Sequence, residues 1–223
     1  MTKAIWYFDF ISPFAYLQRE ELNRLPESLE ISYRPVLFAA LLNHWGHKGP
    51  AEIPAKRRHT YRYCRWLAEQ RNIPFILPPA HPFNPLKVLR LAVAMGDDSA
   101  AIGDIFRFIY AEGGNVESTN GWRRLTARLG LADSEAKIAA PEIKRALKRN
   151  TDEALAAGVF GVPTIVANGE IFWGQDATDM FLDWLNDPSA FARGEFARIA
   201  ELPFGARRRP SPESGLVSAP KKA

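Results

Sequence analysis

The sequence predicts an α/β fold in which a discontinuous sheet domain is interrupted by a large all-helical insertion. Three observations predict it: two short apolar strands with a helix between them open the chain, the centre has helical periodicity divided by Gly/Pro loops, and strand signals return only near residue 162. The expected organisation is a sheet domain built from residues 1–37 and 158–187 and a helical insertion over 38–157. An extension over 188–223 is expected to be mostly disordered after about residue 203.

The first strand is read over Ile5–Ile11, an almost continuously apolar, aromatic-rich run of the kind buried on both faces of a sheet. Phe14, Leu17, Leu22 and Leu25 follow at helical spacing, and Pro26 ends that helix. Leu29–Leu37 alternates as a second strand, and the β-α-β unit so formed implies that the two strands are parallel. Phe38–Trp45 reads as a short helix, 46–54 as a loop and Ala55–Arg71 as a longer helix. The five prolines between Pro74 and Pro85 make a constrained connector rather than a helix. Leu86–Met95, Ala100–Ala111, Trp122–Leu129, Ser134–Ala140 and Glu142–Ala157 complete the helical stretch. Asn168-Gly169 between Val162–Ala167 and Glu170–Trp173 is a hairpin signal, followed by a closing helix over Ala177–Leu185. A short helix is expected between Asp187 and Leu202. The order is that of a thioredoxin-type domain interrupted by a helical one.

Composition narrows the function. Hydrophobic residues make up 47% and charged residues 24%, a mix that buries an ordinary globular core. The net charge falls from +4 to −1 without the five positive charges of Arg207-Arg208-Arg209 and Lys221-Lys222, so the body is near neutral and no nucleic-acid partner is expected. No apolar run approaches a membrane span and the first residues lack signal-peptide order; a cytoplasmic protein with no membrane partner is expected. The single cysteine, Cys64, excludes a C-x-x-C redox centre within one chain and reads as a packing residue. No metal site is expected, because His44 and His47 have no further ligand pattern beside them.

Ser12-Pro13 places a hydroxyl where the first strand hands over to a helix. Serine is a favoured N-cap, and proline at the first helical position loses no hydrogen bond. The unpaired N–H groups and the positive end of the helix dipole favour an anion beside Ser12. The residues alone leave two readings open, a helix cap and nothing more, or a hydroxyl that serves a ligand. A Ser-His-Asp hydrolase is disfavoured, since there is no G-x-S-x-G and the four histidines have no diagnostic spacing to Ser12.

Three segments, Phe8 to Tyr16 (FDFISPFAY), Gly158 to Thr164 (GVFGVPT) and Phe172 to Asp176 (FWGQD), together resemble the 2-hydroxychromene-2-carboxylate isomerases and kappa-class glutathione transferases, relatives of the disulfide oxidoreductase DsbA. The run Gly49 to Arg58 (GPAEIPAKRR) resembles the isomerase branch. The resemblance covers roughly residues 3–187. It implies that Ser12 stands where the thioredoxin fold carries its redox cysteine, with glutathione supplying the thiol and Ser12 stabilising its thiolate. It further implies that Val162-Pro163 is a cis-proline pair whose backbone receives glutathione, and that Gln175 and Asp176, at the start of the last helix, hold its γ-glutamyl end. Ala177 follows where many relatives carry arginine. Lys56 matches a family lysine that reaches glutathione, the alternative being a solvated charge on a basic helix, and His47 stands where kappa-class relatives often have asparagine. Pro13, together with Tyr61 and Arg65 from a helix that also carries Arg58, Arg62 and Tyr63, is expected to meet an aromatic carboxylate substrate.

The activity implied by the resemblance is a glutathione-dependent isomerisation of 2-hydroxychromene-2-carboxylate-type intermediates of aromatic degradation, catalysed by a homodimer acting on a small molecule. Two alternatives stand beside it: a kappa-type glutathione transferase or peroxidase using the same Ser12 site, and a non-catalytic thioredoxin-like binding module.

Overall fold

A computed structural model describes residues 2–206. The chain forms two compact units, one running to Phe181 and the other from Leu182. In the first, a four-stranded mixed sheet has the order β2-β1-β3-β4, with β1 (Lys3–Phe8), β2 (Glu30–Pro35), β3 (Thr164–Ala167) and β4 (Glu170–Trp173). β1 is parallel to β2 and antiparallel to β3, and β3 is antiparallel to β4. The parallel pair is the one the β-α-β unit implied. The hairpin closes through Asn168 (φ 48°) and Gly169 (φ 86°), the two left-handed positions of a type I′ turn.

β1 is shorter than the apolar run suggested. It ends at Phe8 because Asp9 turns the chain, and Ser12 then caps α1 (Pro13–Glu21). The helix stops at Glu21, four residues earlier than the periodicity indicated, and tightens into a 3-10 turn over Leu22–Arg24 ahead of Pro26. Likewise β3 starts at Thr164 rather than Val162, since Pro163 has no N–H to give the ladder; the Val162-Pro163 bond is cis.

Between β2 and β3 lie only helices and loops: α2 (Phe38–Trp45), α3 (Pro54–Gln70), α4 (Leu86–Ala94), α5 (Ser99–Tyr110), α6 (Thr119–Arg128), α7 (Ser134–Ala139) and α8 (Pro141–Ala156). α6 begins three residues before Trp122, because the Ser118 hydroxyl accepts the Gly121 N–H and caps it. The predicted loop over 46–54 contains a 3-10 turn, Pro50–Glu52. The proline-rich connector carries no helix or strand from 73 to 85.

β1 is packed on both faces, as its composition demands. Trp6 and Phe8 stack at 4.5 Å on one face, and Phe10, Phe106 of α5 and Tyr16 of α1 extend the same aromatic cluster. Tyr7 points to the other face, among Val36, Leu41, Ala154 and Val159. Burying each such side chain contributes about 1.5–3 kcal/mol. The interior also holds a polar clamp: Trp6 Nε1 donates to Gln18 Oε1 (2.8 Å), and Gln18 Nε2 donates to the Gly174 carbonyl (3.0 Å) and Thr178 Oγ1 (3.1 Å). It ties β1, α1 and the segment after β4 together.

α9 (Thr178–Asn186) closes the first unit and enters the second, where a 3-10 turn (Ala190–Ala192) and α10 (Gly194–Ala200) follow. The expected short helix is α10. Most of the tail expected to be disordered, residues 207–223, lies outside the described residues. No helix among the described residues is long and apolar enough to cross a membrane.

Candidate active site

The turn between β1 and α1 is built by Asp9. Its carboxylate is fully buried and accepts the Ile11 N–H on Oδ1 (3.0 Å) and the Phe38 N–H on Oδ2 (2.9 Å). The Ser12 N–H donates back to the Asp9 carbonyl (3.0 Å), so the chain reverses and α1 starts beside the end of the sheet. Burial pushes the Asp9 carboxyl up to about 7, against the downward pull of the two N–H donors.

Ser12 is 7% exposed. Its Oγ accepts the Ala15 N–H (3.2 Å) as an N-cap, and its hydroxyl reaches the Val162 carbonyl at 3.4 Å. That second distance is long for an O–H···O bond, so the proton is held weakly and is free to turn to a better acceptor. Pro13, buried, occupies the first helical position.

Val162-Pro163 is cis and abuts Ser12, which brings three of the expected site residues together. The loop is held by Thr164, whose hydroxyl donates to the Gly161 carbonyl (2.8 Å), and by the Gly174 N–H, which donates to the Pro163 carbonyl (2.9 Å). Gly161 leaves no room for a side chain: a Cβ there would lie 2.5 Å from Trp173 Nε1. Gln175 and Asp176 stand inside a 3-10 turn, Gln175–Ala177, that precedes α9 rather than at the helix start itself. Gln175 is buried with Oε1 unpartnered, whereas Asp176 is exposed.

The residues expected from α2 and α3 are more dispersed. His47, just past α2, and Lys56, in the first turn of α3, are both exposed, and no hydrogen bond links either side chain to Ser12 among the described residues. Arg65 binds Glu69 (2.9 Å) and the Phe75 carbonyl (2.7 Å). Tyr63 stacks against His59 and Trp66 on an exposed row, and Cys64 is buried with its thiol pushed up to about 12 by burial. Tyr61 is different. With Ala51, Pro54, Arg57 and Arg58 it lines an open hollow of about 340 Å³, and its hydroxyl contacts His81 Nδ1 at 2.6 Å. On the other side of the ring, His81 Nε2 lies 2.7 Å from the carbonyl oxygen of Ile11, the residue before Ser12. Ser12 does not line the hollow; His81 bridges the two places.

His81, Asp9 and Tyr110 were not legible as site residues. His81 lies in the proline-rich connector, Tyr110 at the end of α5, and their partners Ile11 and Phe10 are 70 and 100 positions away.

Over 197 residues the chain is 29% identical to a 2-hydroxychromene-2-carboxylate isomerase of Sphingobium xenophagum, covering 84% of this chain and 100% of that protein. It is 25% identical over 205 residues to glutathione S-transferase kappa 2 of Caenorhabditis elegans, covering 82% and 91% respectively. A solved structure of a 2-hydroxychromene-2-carboxylate isomerase superposes with a TM-score of 0.72 at 21% identity, covering 86% of this chain and all of that one, a likeness of fold. Residues 4–186 match the DSBA-like thioredoxin domain, and the chain belongs to that family, among relatives named as isomerases and kappa-class glutathione transferases.

Proposed function

We propose that the protein is a glutathione-dependent isomerase of 2-hydroxychromene-2-carboxylate-type compounds. The observation that carries this reading is the weakly held Ser12 hydroxyl at the N-terminus of α1, against the Val162-Pro163 loop, where the family resemblance would put the redox cysteine. Glutathione fits the residues present. The buried, unpartnered Gln175 Oε1 offers an acceptor for an N–H donor, the exposed Asp176 carboxylate suits an ammonium, and the Ser12 hydroxyl at the positive end of the α1 dipole suits a thiolate. Val162 and Pro163 would meet the cysteinyl backbone, with Lys56 and His47 at the margin.

When bound, glutathione supplies a thiolate that adds reversibly to an electron-poor carbon of a conjugated substrate, so that a double bond becomes rotatable. The chain's own residues do the rest. Ser12 donates a hydrogen bond to the sulfur, which favours the ionised form, and keeps its own proton. Tyr61 and Arg58, which line the hollow, would meet the ring and carboxylate of the substrate, with Pro13 beside Ser12. Because the thiolate is regenerated, a net isomerisation consumes no glutathione. The kappa-transferase relatives favour one second reading, conjugation at the same site. A homodimer, a cytoplasmic location and a division of the chain into sheet domain and helical insertion complete the proposal.

Calorimetry with glutathione on the wild type, Ser12→Ala and Asp176→Ala tests the site, and 2-hydroxychromene-2-carboxylate turnover with glutathione assayed before and after tests the reaction. Binding weakened by Asp176→Ala, with turnover at constant glutathione, supports the isomerase. Stoichiometric loss of glutathione assigns the transferase instead. No binding overturns both.

A further inference from the structure

The hydrogen bonds around His81 determine where its protons are. A carbonyl can only accept, so at 2.7 Å from the Ile11 oxygen His81 Nε2 carries a hydrogen. The Tyr110 hydroxyl donates to the Phe10 carbonyl (2.9 Å) and offers its lone pair to the same Nε2–H at 3.3 Å. Burial, aided by the Arg57 guanidinium and opposed by the Ile11 carbonyl, lowers the His81 pKa and favours the neutral ring. Nδ1 is then an acceptor, and the group that donates to it is the Tyr61 hydroxyl, at 2.6 Å. Arg57 Nε donates to the same phenol oxygen (3.1 Å), and Arg57 also anchors the His81 carbonyl (2.6 Å). The phenol is thus polarised from both sides: its proton is pulled toward an imidazole and its oxygen faces a guanidinium.

The arrangement also accommodates the transferred proton. The Tyr61 hydroxyl has a second acceptor, the His81 carbonyl at 3.0 Å. If Nδ1 takes the Tyr61 proton and Tyr61 takes one from the hollow, the new O–H has that carbonyl to bond, Nδ1–H bonds the phenol oxygen, and Nε2–H keeps Ile11. Every polar atom is satisfied in both states. The charged and titratable groups facing the ring are Arg57 and Tyr61 from α3 and Tyr110 from α5, with Asp9 and Cys64 coupled to Tyr110 behind it.

We infer that Tyr61 is a proton-transfer residue serving the hollow, with His81 as the partner that takes and returns its proton. The inference rests on the proposed function for the substrate. A 2-hydroxychromene-2-carboxylate is a cyclic hemiketal, and opening its ring needs one proton removed and one supplied. The hemiketal O–H proton passes to the Tyr61 oxygen as the Tyr61 proton passes to His81 Nδ1. The ring C–O bond breaks with its electron pair on the ring oxygen while the former hydroxyl oxygen becomes a carbonyl. The ring oxygen then takes the proton from Tyr61, and His81 returns its own. No co-reactant is needed and the pair ends as it began.

The test combines nitrogen NMR of the histidine ring with kinetics. In the wild type, His81 is expected as the Nε2–H tautomer with a hydrogen-bonded Nδ1. In Tyr61→Phe the Nδ1 resonance moves toward that of an unbonded imidazole nitrogen, and the His81 titration moves with it. His81→Gln can still donate an amide N–H toward Ile11 but does not titrate. Both variants should lose about 100-fold in kcat, the lower end of general acid–base contributions, while glutathione affinity by calorimetry is kept. An Nδ1–H tautomer, a His81 titration unmoved in Tyr61→Phe, or near-normal turnover by His81→Gln overturns the pair. Glutathione binding without turnover in the wild type overturns the isomerase reading instead, and the ring resonances then decide the pair on their own.

Discussion

The hydroxyl oxygen of Ser12 lies 3.4 Å from the carbonyl oxygen of Val162, 150 positions further along the chain. The two residues belong to the first helix cap and to the loop before β3, and they meet because β1 and β3 are adjacent antiparallel strands. A hydroxyl donor at a helix N-terminus is suited to hold an anion.

Ser12→Ala removes the side-chain acceptor of the Ala15 N–H and leaves it the Ser12 carbonyl (3.0 Å); loss of such a cap destabilises by about 0.5–2 kcal/mol. Urea unfolding should show that loss at every pH, and the thiol of bound glutathione should titrate at higher pH than in the wild type. An unchanged thiol titration would leave Ser12 as a cap only.

A cysteine at position 12 should behave oppositely to Cys64. In Ser12→Cys the thiol sits at the N-terminus of α1 and is expected to ionise below its ordinary range. Cys64 is buried with its thiol pushed up to about 12. A thiol reagent at neutral pH should therefore label one site in native Ser12→Cys and none in the native wild type, with Cys64 reacting only in denaturant. Rapid labelling of the native wild type would contradict the burial.

Asp9 should make stability depend on pH. Its folded value of about 7 lies above its ordinary value of 3.8, so the folded chain binds the proton more tightly than the unfolded chain. Its contribution is fully present below about 4 and is lost as pH rises through about 7. Asp9→Asn abolishes this component. It also sets an amide N–H against either the Ile11 or the Phe38 N–H, at a cost of about 1–3 kcal/mol. Urea midpoints at pH 5 and pH 8 for both proteins measure each effect.

Gln18→Leu keeps the volume and deletes the clamp. Trp6 Nε1 loses its partner, a buried orphan that costs about 1–3 kcal/mol, whereas the Thr178 hydroxyl keeps its bond to the Gln175 carbonyl (2.9 Å). The variant should unfold at markedly lower urea with an unchanged slope, and a stability equal to wild type would mean that the clamp contributes nothing net.

Gly161→Ala drives a Cβ to within 2.5 Å of Trp173 Nε1, so the indole or the Val162-Pro163 loop must shift. Trp173 is 54% exposed, so the indole has room to swing outward. Tryptophan fluorescence should change, and glutathione affinity should fall. Affinity that survives a displaced indole would place the ligand away from this loop.

Much of this architecture is decided locally and could be read in one dimension. β1 is aromatic and apolar at successive positions because it is buried on both faces; Asn168-Gly169 turns because those residues accept positive φ; Ser12-Pro13 starts a helix because one supplies an acceptor and the other needs no donor. The motifs around Ser12, Val162-Pro163 and Gln175-Asp176 are legible for the same reason, being runs of neighbouring residues. Where the reading overshot, a long-range bond was responsible: β1 stops at Phe8 because the Asp9 carboxylate captures N–H groups of Ile11 and Phe38, the latter 29 positions on. Only the tertiary structure could single out Asp9, Gln18, His81 and Tyr110. A buried polar side chain leaves no periodic trace, and its meaning lies in partners such as Ile11 for His81 or Gly174 for Gln18, 70 and 156 positions away, that only the folded chain brings within hydrogen-bonding distance.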